Sequence, residues 1–150
     1  MQLPLWIWTA YVVGVCGFAL AVGGRSEKVG AAAILGGWIA SVAASSFGGW
    51  GRTSGVEIVD VAVLAILVGL ALRSHRWWPI FAAGFHLLAV ATHWAHQLDP
   101  TVGGWAYLTA GIIWGYMLVA SLGWGTWTAW RERQLIERAD PTGAPGATRR

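Results

Sequence analysis

Five runs of apolar residues, separated by short polar or glycine-rich segments, dominate the pattern along this chain. The runs cover residues 3–22, 29–47, 56–72, 78–97 and 105–127. Each is close to the roughly 20 residues that an α-helix needs to cross the hydrocarbon core of a bilayer. The pattern therefore predicts an all-α fold, an integral membrane bundle of five transmembrane helices within residues 1–130, and no soluble domain.

The character of the chain changes beyond Trp130. Residues 131–138 carry several charges and are expected to extend the last helix out of the membrane, whereas residues 140–150 are rich in Pro, Gly and Thr. We therefore interpret 131–150 as a charged, mostly disordered tail. At the other end, no Lys or Arg precedes Arg25, so the first run lacks the positive start of a secretory signal and is interpreted as a retained helix.

Composition agrees with membrane insertion. Of the residues, 56% are hydrophobic and only 11% are charged, whereas a soluble domain carries about a quarter charged residues. The basic residues stand singly or in pairs between apolar runs, without the stripe that binding to a phosphate backbone requires. We therefore expect the lipid bilayer as the main partner and no nucleic acid.

Charge also predicts the orientation of the helices. If all five runs cross the membrane, nine of the ten Lys and Arg residues fall on one side and only Arg52 on the other. The positive-inside rule then places the N-terminus outside and the tail in the cytoplasm of a bacterial inner membrane.

The tryptophans are expected to mark the two membrane boundaries, where their amphipathic rings are favoured. The predicted outer belt contains Trp6, Trp8, Trp50, Trp94 and Trp105, the inner belt contains Trp77, Trp78, Trp124, Trp127 and Trp130, and Trp38 and Trp114 remain at mid-depth.

Small residues recur at every fourth position in two of the runs. The second run has two such rows, Ala32, Gly36, Ala40, Ala44 and Ala33, Gly37, Ser41, Ser45, and the fifth run has Gly111, Gly115 and Gly123. Small side chains let membrane helices approach closely and gain van der Waals contact. The spacing predicts helix-packing faces, with the second helix inside the bundle.

Four polar residues are expected at the outer ends of the third and fourth helices: Glu57, Asp60, His93 and His96. Because consecutive helices are usually neighbours, these side chains can converge on Zn²⁺, Fe²⁺ or Cu²⁺, or Asp60 and His93 can form a metal-free, proton-linked pair. The simpler interpretation is that the histidines hydrogen-bond to loop backbone, water or the carboxylates. Glu57 has its own simple explanation, a capping box with Ser54.

His86 stands apart because it lies near the middle of the fourth run. A histidine at that depth needs a partner. We consider two alternatives, a buried hydrogen bond across a helix interface or ligation of a tetrapyrrole. The sequence departs from a bis-histidine haem bundle, since no other predicted helix carries a histidine.

No nucleophile motif, phosphate-binding glycine loop or zincin signature is present, so we expect no enzymatic activity. The expected function is that of an accessory or stabilising subunit that packs against itself, as a homo-oligomer, or against a larger membrane complex, with no cofactor. One alternative is a metal- or tetrapyrrole-binding protein that supports redox or proton transfer. Another is a small channel or holin-like pore, although so few polar residues make a poor water path.

Overall fold

The computed structural model describes residues 5–46, 50–98 and 104–139. This part of the chain is all-α, as expected, and contains five helices and no strand. The helices are α1 (Leu5–Val22), α2 (Arg25–Ser46), α3 (Trp50–Arg73), α4 (Trp78–Leu98) and α5 (Gly104–Ala139). Residues 140–150, which were expected to be disordered, lie outside the described residues.

Two helices begin earlier than the apolar pattern indicates. The first turn of α2 starts at Arg25, and the amide of Lys28 donates to the carbonyl of Gly24 at 3.0 Å. Because α3 starts at Trp50, Ser54 lies within the helix and the capping-box interpretation of Ser54 and Glu57 is wrong. Glycine in a helix costs only about 1 kcal/mol, so the glycines before residue 56 do not stop a helix whose later turns are apolar.

The last helix, α5, is the longest element, with 36 residues. At about 1.5 Å per residue it is roughly 54 Å long, well beyond the roughly 30 Å of a hydrocarbon core. Its last turns, from Arg131 to Ala139, are mostly exposed. The charged segment therefore extends the helix, as expected.

The five helices form a closed ring. Each packs against the next in the chain, α5 packs back against α1, and α2 and α5 also touch across the ring. One end, which we name the basic end, gathers the end of α1, the start of α2, the α3–α4 connection and the later part of α5. There Arg133 donates to the carbonyl of Val22, and Nη1 of Arg76 lies 2.7 Å from Oε2 of Glu132.

The core of the ring is built from small and medium apolar side chains. Its buried members include Val12, Cys16, Ala19, Ala31, Ile34, Val63, Leu67, Ala82, Ala83, Leu118, Val119 and Leu122. Large apolar side chains are exposed on every helix, for example Val13, Ile39, Ile58, Ile80 and Ile112. Exposed apolar surface on this scale marks a protein that meets lipid or other proteins.

Three segments are long and apolar enough to cross a membrane: Arg25–Ala44, Gly55–Arg73 and Leu108–Ala139. The apolar part of α1, Trp6–Val22, is shorter. Polar side chains such as His86 and His93 lower the hydropathy of α4. The structure thus supports membrane association through three helices. The five crossings expected from the sequence stay a prediction.

Trp78 departs most clearly from the expected belts. Exposed tryptophans do lie near both ends of the bundle, but Trp78 is only 4% exposed and packs between α2 and α5. Its ring fits because two glycines face it: a Cβ on Gly30 would lie 2.4 Å from its Cη2, and one on Gly125 would lie 2.3 Å from its Cδ1. Trp78 is therefore a core residue and not a boundary anchor.

Three of the predicted packing glycines lie at helix contacts. A Cβ on Gly37 would come within 2.5 Å of Val63 in α3, and Cβ atoms on Gly115 and Gly123 would lie 3.1 and 3.2 Å from side chains of α1. These glycines let α2 approach α3 and let α5 approach α1, as predicted.

The other two predicted packing glycines, Gly36 and Gly111, have no such contact. A Cβ on either would have no atom within 4 Å among those compared. Gly36 is exposed, as is Ala32 one turn earlier, so this part of the row faces out of the ring, whereas Ala44 of the same row lies against Gly55 of α3. Gly36 and Gly111 therefore make no close helix contact within the described part of the chain, and their packing against a second chain stays a prediction.

Candidate functional site

The structure brings Asp60 of α3 and His93 of α4 together. Nδ1 of His93 lies 3.2 Å from Oδ2 of Asp60, and the two side chains are 27% and 19% exposed. Because the two helices are adjacent and run in opposite directions, a residue early in α3 faces one late in α4. This is the meeting predicted for the third and fourth helices.

His86 reaches the same residue of α3 from deeper in the bundle. It is 8% exposed, and its Nε2 lies 3.0 Å from the backbone carbonyl of Asp60. A carbonyl oxygen only accepts, so Nε2 carries the hydrogen. This geometry matches the first alternative for His86, a buried hydrogen bond across a helix interface. Ligation of a tetrapyrrole through Nε2 would require that bond to break.

A partly open cavity of about 170 Å³ lies beside this cluster. Its polar lining consists of Ser41, Asp60, His86 and His93, and Trp8 contributes an aromatic wall. All five helices contribute to the lining, so the cavity occupies the centre of the ring. Since a water molecule takes about 30 Å³ of liquid volume, the space is large enough for several waters beside groups that can hydrogen-bond to them.

Glu57 lies one turn before Asp60 on α3, is partly buried, and interacts electrostatically with His93. The side chain of His96 lies outside the described residues. Among the side chains that are described, no group of three or more His, Cys, Asp or Glu could hold a metal ion. Metal binding by the predicted set of Glu57, Asp60, His93 and His96 stays a prediction, whereas the Asp60–His93 contact has the geometry of the metal-free alternative.

The cluster is chemically suited to holding and moving a proton. A carboxylate and an imidazole at 3.2 Å can share a proton, and the low dielectric of a helix bundle strengthens their attraction. His86 fixes the backbone on which Asp60 sits and adds a second imidazole to the cavity wall.

Sequence reasoning missed a second polar cluster, around Glu27 at the basic end. Glu27 is 2% exposed, its Oε1 accepts from Nε1 of Trp78 at 3.1 Å, and its Oε2 accepts from Oγ of Ser26 at 3.1 Å. The apolar pattern places residues 23–28 in a polar segment between two runs. Gly24 leaves room for this carboxylate, since a Cβ there would lie 2.8 Å from Oε2 of Glu27. A glycine in a polar segment does not by itself indicate a buried glutamate.

The bundle therefore has a cluster of one carboxylate and two imidazoles around Asp60 towards one end and a buried carboxylate at the basic end. Comparisons of the chain with protein-family models, curated proteins and solved structures find no match.

Proposed function

We propose that this protein crosses a bacterial inner membrane five times, with its N-terminus outside and its C-terminus in the cytoplasm. The ring supports this, because consecutive helices alternate in direction and their apolar side chains point outward. Arg25, Arg73 and Arg76 gather at one end, as the positive-inside rule requires of the cytoplasmic side.

Within that membrane the proposed function is that of an accessory or stabilising subunit, without enzymatic activity. The observation that carries the proposal is the outward row of small residues on α2, where Ala32 and Gly36 are exposed and Gly36 has open space above it. Such a row lets a second backbone approach closely. The partner is a second copy of this chain or a helix of a larger complex.

The test compares Gly36→Leu with Gly84→Leu, which changes another exposed glycine that also has open space above it. Wild type and Gly84→Leu are expected to run as an oligomer or to retain a membrane partner after mild solubilisation, and Gly36→Leu is expected to lose it. The measurements are light scattering on detergent-purified protein and pull-down from native membranes. A wild-type monomer without any partner would refute the proposal.

The second candidate function is proton or redox transfer at the Asp60 cluster. The 3.2 Å contact between Asp60 and His93 beside a partly open cavity favours it. Elemental analysis and an absorption spectrum of protein purified without chelator test the cofactor form, which fails if neither a metal nor a Soret or chlorin band is found.

The metal-free form of this candidate has its own test. The infrared carboxyl band of Asp60 is assigned by its loss in Asp60→Asn and followed during a pH titration. In His93→Gln the titration of that band is expected to shift, because the proton no longer has the imidazole to share. An unchanged titration would show that the two side chains do not share a proton.

A further inference from the structure

A cleft opens at the basic end of the ring, between the start of α2 and the α3–α4 connection. Its volume is about 620 Å³, which is within the range of roughly 300–1,000 Å³ of small-ligand sites. Three arginines and a histidine line it: Arg25, Arg73, His75 and Arg76. We name it the arginine cleft. Neither the proposed subunit role nor the Asp60 cluster uses it.

The arginine cleft is positively charged. Arg25 and Arg73 are exposed, and Arg76 directs one guanidinium nitrogen to Glu132. Among the described residues of the lining, Glu27 is the one carboxylate. It is 2% exposed, and its two oxygens already accept hydrogen bonds from Trp78 and Ser26. A ligand in the cleft therefore meets guanidinium groups before it meets that carboxylate.

The backbone adds donors to the same wall. α2 begins at Arg25, and the amide of Lys28 makes the bond to the carbonyl of Gly24 that opens the helix. The amides of the first helical turn before Lys28 have no acceptor within the helix, and the helix dipole is positive at this end. Guanidinium groups and helix N-terminal amides are both groups that bind phosphate in proteins.

One part of the cleft is apolar and faces outward. Leu70 lines it together with Val29, whose side chain is 42% exposed. Along the helix axes, Leu70 lies about one turn from Arg73 on α3, and Val29 lies one turn from Arg25 on α2, both further from the basic end. The cleft thus combines a basic rim with an apolar wall, as the contact surface for a phospholipid headgroup and its glycerol does.

From these observations we infer that the arginine cleft binds a phosphate group, carried by the headgroup of an anionic phospholipid. Basic pockets between membrane helices on the cytoplasmic side recognise such headgroups. The inference rests on the proposed membrane topology, which places the basic end at the lipid–water boundary. It does not depend on the outward face of α2 or on any protein partner.

The first arm of the test is native mass spectrometry of the full-length protein with phosphatidylglycerol or phosphatidylcholine of identical acyl chains. The wild type is expected to retain phosphatidylglycerol in preference. The double variant Arg25→Gln/Arg73→Gln is expected to bind it roughly tenfold more weakly or worse, because two charge-assisted contacts are lost. The matched control, Arg131→Gln/Arg138→Gln, removes the same charge outside the cleft and should bind like the wild type.

The second arm measures binding of inorganic phosphate by calorimetry. If free phosphate binds in a way that depends on Arg25 and Arg73, but phosphatidylglycerol is not preferred, the cleft is still a phosphate site and its ligand is soluble. The inference is overturned if the two double variants bind phosphatidylglycerol equally well. It is also overturned if the wild type binds phosphatidylglycerol and phosphatidylcholine equally well and calorimetry detects no binding of inorganic phosphate. Circular dichroism and gel filtration establish that the variants are folded.

Failure of this inference is separable from failure of the proposed function. The lipid assay contains no partner protein, so an absent oligomer or complex leaves its result unchanged. An inverted or incomplete topology would be detected by labelling of His75→Cys from the wrong side of the membrane, independently of lipid retention.

Discussion

Glu27 and Trp78 show how a single residue pair ties the bundle together. The indole of Trp78 in α4 donates to the carboxylate of Glu27 in α2 at 3.1 Å, and both side chains are almost fully buried. A buried carboxylate is costly unless it is hydrogen-bonded. The pair therefore fixes the start of α2 against the start of α4.

Replacing Trp78 with Phe tests this pair, because it keeps an aromatic ring and removes the donor. We expect the free energy of unfolding in detergent to fall by about 1–3 kcal/mol, since Oε1 of Glu27 is left without that partner. Trp77→Phe is the control: Trp77 is 77% exposed, and its replacement is expected to change stability by less than about 0.5 kcal/mol. Equal effects of the two variants would contradict the role of the hydrogen bond.

A double-mutant cycle separates the two histidines that meet Asp60. Asp60→Asn and His93→Gln are expected to be coupled by about 0.5–3 kcal/mol of unfolding free energy, because their side chains touch. Asp60→Asn and His86→Leu should be coupled more weakly than the first pair, since His86 bonds to the backbone carbonyl of Asp60, which the substitution keeps. Strong coupling in the second cycle, or none in the first, would contradict the described geometry.

Asp60 and His93 could be paired from the sequence because their positions in two neighbouring antiparallel helices give them the same depth. The partner of His86 could not be predicted, since a backbone carbonyl has no sequence signature. Trp78 misled the prediction for a related reason: a boundary tryptophan and a buried one look alike until Gly30 and Gly125, on two other helices, are known to face it.

At the scale of helices, close approach depends on which glycines face a neighbour. Gly125→Ala is expected to lower the unfolding free energy by about 1–3 kcal/mol, because the new Cβ would lie 2.3 Å from the buried ring of Trp78. Gly84→Ala, where nothing lies within 4 Å, should be neutral or stabilising by up to about 1 kcal/mol. Thermal unfolding in one detergent compares them, and the reverse order would contradict the packing.

The all-α fold, the five helices and most of their ends followed from the apolar runs, whereas the starts of α2 and α3 did not. The polar start of α2 lies outside the predicted apolar run, but its carboxylate, on Glu27, is buried and hydrogen-bonded to Trp78. The rows of small residues on α2 were both assigned to the interior, yet the row with Gly36 is exposed at Ala32 and Gly36 and meets α3 only further along, at Ala44. The four-residue spacing shows that one face of a helix carries small side chains. Which neighbouring helix that face contacts depends on how all five helices pack.

For the whole molecule, the proposed topology predicts opposite accessibility at two positions. In a Cys16→Ala background, His75→Cys is expected to react with an impermeant maleimide only from the cytoplasmic side, because it lies at the basic end. Ser46→Cys, at the far end of α2, is expected to react only from outside. Intact cells and inverted vesicles provide the two measurements, and labelling of both positions from one side would rule out alternating crossings.

The closed ring also sets a limit on how copies of this chain can be joined. α1 and α5 are neighbours, but α1 begins and α5 ends at opposite ends of the bundle, since the number of helices is odd. In the proposed five-crossing topology, a direct tandem fusion would therefore place its second copy upside down relative to the first. Two copies that stand in the same direction in that membrane would have to come from two separate chains, or from one chain with an added crossing in the linker.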